Sequence, residues 1–221
     1  MAKYASEVVK QAQAWLGRNE GSTGHKEIVD LYNAHKPLAR GYKVKYTDAW
    51  CATFVSAVAI KLGYTDIIPT ECGCGKMIDL LKSKGAWVEN ENRRPNPGDI
   101  IFYDWQDNGK GGDNLGSPDH VGIVEKMLGD SIVVIEGNHD GDDADTRDGV
   151  ERRVIPVNWR YIRGYGVPKY DAESSFSADC KLLADKGIIN SPDYWAKGSG
   201  YSDNNTVLLI KKFADYVRRK G

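Results

Sequence analysis

The chain has 221 residues, 41% of them hydrophobic and 28% charged, with a formal net charge of −1. That length suits one mid-sized domain, or one domain with a small appendage, and is ample for a buried core. The near-neutral charge leaves no footprint for a polyanion, so nucleic acid is a poor partner, and no apolar run approaches the roughly 18 residues of a membrane span.

The elements read in chain order as helices first and strands second. Apolar residues at Ala5, Val8, Val9, Ala12, Trp15 and Leu16 recur at helical spacing over 4–16, and Gly17 ends that helix. Its amphipathic start, MAKYASEVVKQAQAWLG, does not read as a secretory leader, so the protein is expected to be made in the cytosol without one. A second short helix covers 25–35 and stops before Pro37. Thr47 or Asp48 is expected to cap a third, running to Leu62 with Gly63 as its stop. Its apolar residues cover more than one stripe, which predicts a largely buried helix. KMIDLLKSKG, 76–85, is a fourth helix.

The pattern then changes. AWVEN, DIIFYDW, DHVGIVEKM, SIVVIEGN, GVERRVIP and YIRGYGV are short, rich in β-branched and aromatic residues, and separated by Gly, Pro, Asn and Asp. The expectation is an α+β domain, with N-terminal helices packed on an antiparallel sheet. It should span 1–168, followed by a linker over 169–175 and a small all-α module over 176–221. From 175 onward there are eight Lys/Arg and five Asp/Glu, a mildly basic balance that suits an anionic cell wall and is also ordinary for a surface.

Four cysteines, Cys51, Cys72, Cys74 and Cys180, are too few for a disulfide framework. Cys72 and Cys74 form a lone C-x-C, and none of the four histidines is spaced as a finger, so no metal site or cofactor is expected. Cys51 is different. It sits near the start of the buried third helix, where the helix dipole favours a thiolate. A nucleophile needs a base, and His120 opens a strand in SPDHVGIVE, where a scaffold can aim it. The next strand ends in Glu136 and Asn138.

Hairpin geometry connects these residues. With a three-residue loop at 128–130, Met127 faces Ser131, His120 opposes Asn138 and Gly122 opposes Glu136. All three polar side chains then share one face, and Gly122 leaves room for Glu136. A two-residue Gly129–Asp130 turn reverses the parity and separates His120 from the others unless a bulge restores it. In this reading Cys51 attacks a carbonyl carbon, His120 takes and returns the proton, and Glu136 or Asn138 orients the imidazole. Trp50 and Trp105 are candidates to line a substrate groove, with core packing the competing role of each.

DAWCATFVSAVAIKLGY, RPNPGDIIFYDW, SPDHVGIVE and VVIEGN resemble, in this order, the blocks of CHAP domains, the cysteine- and histidine-dependent amidohydrolase/peptidases. The resemblance covers roughly 1–168, and RYIRGYGVPKY is similar to the family's closing strand. It implies a papain-like α+β fold, cleavage of amide bonds in bacterial peptidoglycan, and catalytic roles for Cys51, His120, Glu136 and Asn138. It implies a phage or prophage endolysin that a holin releases to the wall, acting as N-acetylmuramoyl-L-alanine amidase or as endopeptidase. The C-terminal module is then expected to bind wall or to mediate self-association. Two rival readings remain: a catalytically silent wall-binding or virion-assembly protein, and a cytosolic cysteine amidase with another peptide-like substrate.

Some family members hold calcium in an Asp-rich loop ahead of the cysteine. Residues 36–47 here contain no Asp or Glu. The later DGDDADTRDG, 140–149, departs from the EF-hand template at Ala144 and Asp145 and reads as a solvated loop.

Overall fold

A computed structural model describes residues 2–107, 116–139, 148–172, 176–189 and 204–220. It divides into two units, Lys3–Tyr170 and a second made of Asp171–Gly221 with the first two residues. Tyr170 stays with the first unit because its hydroxyl donates to the Gly98 carbonyl at 2.7 Å.

The first unit begins with four helices: α1 (Ala5–Gln13), α2 (Thr23–Ala34), α3 (Cys51–Leu62) and α4 (Cys74–Ser83). The Ser22 side chain accepts from the His25 N–H and caps α2. α3 ends as expected on Gly63, whose φ of 73° a Cβ would disfavour. Its start differs from expectation. The N-cap is Trp50, and the Asp48 carboxylate instead accepts from the Lys45 N–H and the Tyr42 hydroxyl. Cys51 is therefore the first residue of the helix.

Six strands follow: β1 (Trp87–Val88), β2 (Ile100–Tyr103), β3 (His120–Leu128), β4 (Ser131–His139), β5 (Gly149–Pro156) and β6 (Ile162–Gly166). They form one sheet in the order β1-β6-β2-β3-β4-β5, and every neighbouring pair is antiparallel. This is the α+β architecture expected of a CHAP domain. α3 lies against the centre of the sheet, where Trp50, Phe54, Val55 and Val58 meet Phe102, Val121, Ile123 and Ile135. Nine of its residues are buried, because both its stripes are covered. The sheet's other face closes on a second apolar cluster containing Ile101, Tyr103, Val124, Val134 and Tyr165. β2 is consequently buried on both faces, which explains its unbroken IIFY.

The β3–β4 hairpin decides where His120 points. The turn is the two-residue one: Leu128 pairs with Ser131, Met127 with Ile132 and Lys126 with Val133, not Met127 with Ser131. A bulge between Val124 and Lys126 then shifts the ladder by one, so that Val124 pairs with Val134 and Gly122 with Glu136. The extra residue is Glu125. Its buried carboxylate accepts from Gln13 Nε2 at 2.6 Å and from Arg152 Nε at 2.6 Å, which satisfies its charge where the strand alternation breaks. The bulge returns His120 to the face of Glu136.

In the second unit, α5 (Phe176–Asp185) and α6 (Asn204–Lys220) bury Cys180, Leu183 and Ala214, and Arg218 pairs with Asp179 and Asp215. Most of the Asp-rich segment, 140–147, and the NSPDYW stretch, 190–195, lie outside the described residues. Among the described residues no helix is long and apolar enough to cross a membrane, and no cluster of three or more His, Cys, Asp or Glu is arranged to hold a metal ion.

Candidate active site

Three elements converge at one end of the inner strands β3 and β4. α3 presents Cys51 from its first position, β3 presents His120 from its first residue, and β4 presents Glu136. His120 Nε2 lies 3.1 Å from Glu136 Oε2. That bond occupies one ring nitrogen and leaves Nδ1 for the Cys51 thiol, with which the imidazole also hydrogen-bonds. Gly122 is needed beneath the pair: a Cβ there would stand 2.7 Å from Glu136 Cγ.

Glu136 is wholly buried, and burial alone would raise its pKa. The His120 hydrogen bond and charge, with Arg153 Nε at 2.9 Å, outweigh that and hold it at about 2. It is a carboxylate at any working pH. Burial likewise disfavours the His120 cation, yet hydrogen bonds to Cys51 and Glu136 raise its pKa to about 10. The Cys51 thiol moves the other way. Its strongest cause is a hydrogen bond from Cys74, whose sulfur lies 3.7 Å away, and His120 adds to it against the cost of burial. Both shifts run in the direction that favours a thiolate–imidazolium pair backed by a carboxylate over a neutral thiol beside a neutral base.

Around His120 opens a cleft of about 430 Å³, lined by Trp105, Asn138, His139, Asp148 and Arg153 as well. Trp105 is 37% exposed and stacks on Tyr103 at 5.0 Å, with the Arg153 guanidinium over its outer ring at 5.5 Å. It stands on the cleft wall, which Trp50 does not reach. Trp50 is fully buried, 4.7 Å from the His25 ring, and a Cβ on Gly137 would come within 2.8 Å of its indole. An aromatic facing the core cannot touch a substrate, so its role is packing.

Asn138 also departs from the orienting role. Its φ is 58°, and the β4–β5 ladder breaks between Glu136 and His139, so its side chain turns away from His120. Oδ1 accepts from the Trp50 N–H at 2.8 Å, and Nδ2 donates to Asp148 at 2.6 Å. Asn138 therefore anchors the helix start that carries Cys51, while of the two candidate orienters Glu136 is the one that hydrogen-bonds the imidazole. Asp119 accepts from the Trp105 N–H at 2.8 Å and ties down the backbone of that cleft residue.

Two participants were not singled out in the sequence. Arg153 faces Glu136 from β5, where Val134 pairs with Arg153 and Glu136 with Glu151. Carrying the parity argument one strand further finds it, since diagonal neighbours share a face. Cys74 reaches Cys51 only through the packing of two helices, and no periodicity signals that contact.

A mixed helical and antiparallel fold with a thiol, an imidazole and a carboxylate meeting beside a cleft defines a papain-like α+β protein. Residues 41–138 match the family model described as CHAP domain, so this stretch is similar to a family of peptidoglycan amidase- and peptidase-type hydrolases. Among solved structures, the chain is similar to one titled "The crystal structure of Ly7917", at 16% identity and a TM-score of 0.40, covering 75% of this chain and 62% of that one. The present chain thus spans less than two thirds of that chain's length. No curated protein matches the sequence.

Proposed function

We propose that this protein cleaves amide bonds in the peptide part of peptidoglycan with Cys51 as nucleophile, as a phage-type endolysin delivered to the wall from the cytosol. The observation that carries the reading is the His120–Glu136 contact of 3.1 Å beside the Cys51 thiol at the start of α3. The Cys51 thiolate attacks the scissile carbonyl carbon, and the electron pair moves to its oxygen. Amide groups of the first turn of α3 have no intrahelical acceptor and are placed to donate to that oxyanion. His120, already protonated, gives its proton to the departing amine, then takes one from the water that hydrolyses the thioester. Glu136 keeps the ring oriented and its positive charge stabilised, and Arg153 fixes Glu136. Trp105 offers an apolar wall to a sugar or alanyl face. The second unit, with its basic balance, is proposed as a wall-binding or self-associating module.

The test is turbidity loss of purified walls with wild type and with Cys51→Ala. Wild-type clearing that the variant lacks supports the thiol mechanism, and equal clearing by both overturns it. Binding without clearing by wild type shifts the reading to a silent wall binder. Mass spectrometry of released fragments assigns the bond: intact stem peptides with free alanine amino groups mean an amidase, and new termini within stems or cross-bridges mean an endopeptidase.

A further inference from the structure

Cys74 makes and breaks no bond in the acyl transfer just described, although its sulfur lies beside that of Cys51 and favours the thiolate. Like Cys51 it is the first residue of a helix. The starts of α3 and α4 converge so that the two sulfurs lie 3.7 Å apart, with both side chains buried although they are 23 positions apart in sequence. A disulfide needs a separation of about 2.05 Å, so the sulfurs must close by roughly 1.7 Å. Cys72, two residues away, is engaged elsewhere, its sulfur accepting from Arg40 Nη2 at 3.4 Å.

We propose that Cys51 and Cys74 form a reversible dithiol–disulfide pair, a modification site for hydroperoxides that switches the nucleophile off and shields it from irreversible oxidation. The protonation states suit the order of events, since Cys51 is driven toward the thiolate while the neighbouring sulfur and burial hold Cys74 as the thiol. The Cys51 thiolate attacks one peroxide oxygen, the O–O bond breaks, and hydroxide leaves. The sulfur has lost two electrons and is a sulfenic acid. Cys74, giving up its proton, then attacks that sulfur, the S–O bond breaks, and water leaves. In sum, two thiols and one hydrogen peroxide give one disulfide and two waters. Without Cys74, a second peroxide carries the sulfenic acid to sulfinic acid, which thiol reductants do not reverse. The loss of activity rests on Cys51 being the nucleophile, as proposed above, whereas the bond itself does not.

The experiment treats the full chain with hydrogen peroxide, traps remaining thiols with iodoacetamide, and maps non-reduced tryptic peptides by mass spectrometry. Cys51 falls in peptide 46–61, and Cys72 and Cys74 share peptide 62–76, so a Cys72→Ser variant resolves which sulfur is joined. The expected result is a 46–61 to 62–76 cross-link in wild type and in Cys72→Ser, absent from Cys74→Ser and Cys74→Ala. Each protein's wall clearing is scored against its own untreated rate, and dithiothreitol should return oxidised wild type to that rate but not the oxidised Cys74 variants. A cross-link that persists in both Cys74 variants, or wild-type Cys51 reaching sulfinic acid as fast as in those variants, overturns the pair. A reversible Cys51–Cys74 cross-link in a protein that never clears walls upholds the pair and defeats the hydrolase reading.

Discussion

Glu136→Gln isolates the charge that backs His120 from the hydrogen bond that orients it. The amide is nearly isosteric and keeps an acceptor oxygen for His120 Nε2, now 3.1 Å from the carboxylate. An opposite charge at such range in a buried site moves a pKa by about 1–3 units, and about 2 units is reasonable here, where Glu136 is wholly buried. At about 1.4 kcal/mol per unit the imidazolium loses roughly 3 kcal/mol of stabilisation. His120 then titrates about 2 units below its value of about 10. The sign follows. A raised histidine pKa keeps the ion pair at neutral pH and loses it as pH rises, so the alkaline limb of activity moves to lower pH. Ordinary titration leaves roughly 90% of wild type protonated at pH 9, and about 10% of the variant. The wild-type to variant ratio of wall-clearing rates should therefore grow about tenfold between pH 7 and pH 9. Any loss of orientation lowers the variant at every pH and leaves that growth unchanged. A ratio that stays flat across this range, in a variant whose melting temperature is preserved, refutes the electrostatic role of Glu136.

The same carboxylate affects stability in acid. Its pKa falls from 4.5 unfolded to about 2 folded, so its contribution is present above pH 4.5 and is lost as pH falls through about 2. Urea unfolding across that window should show a steeper decline for wild type than for Glu136→Gln. Gly137→Ala places a Cβ 2.6 Å from Phe54 Cβ and should cost about 1–3 kcal/mol, seen as a lower melting temperature. Trp50→Ala should cost about 3–5 kcal/mol of stability, whereas Trp105→Ala should leave the melting temperature nearly unchanged and raise KM for wall fragments. Asn138→Ala leaves the Trp50 N–H without its acceptor, which should cost about 1–3 kcal/mol and slow Cys51 alkylation by iodoacetamide.

The helices and all six strands are readable from periodicity, because each element buries a face whose period the side chains record. The helix starts are less so. Asp48 is a sound cap by composition, yet a nearby backbone N–H and the Tyr42 hydroxyl claim its carboxylate first. His120 and Glu136 were legible through hairpin parity, but which of the two devices delivers it, a three-residue loop or the bulge found at Glu125, was not. Glu125 looks like an outward strand residue until Gln13 and Arg152 are seen to hold it inside. Trp50 and Trp105 look alike in sequence, and only the tertiary packing separates a core ring from a cleft wall. Asn138 and Cys74 both act across contacts between distant segments, which leave no local pattern. The second apolar cluster behind the sheet was similarly hidden, since a strand buried on both sides differs from a half-buried one only in lacking alternation.

The clasp between Asn138 and Trp50 joins residues 88 positions apart. During synthesis the sulfur-bearing helix emerges long before the strand that secures it, and before the imidazole that activates it. A nascent chain therefore carries an unactivated thiol, and competence arrives only when β4 docks. A ribosome-stalled fragment ending ahead of that strand should hold every atom of Cys51 and only the ordinary reactivity of a free thiol.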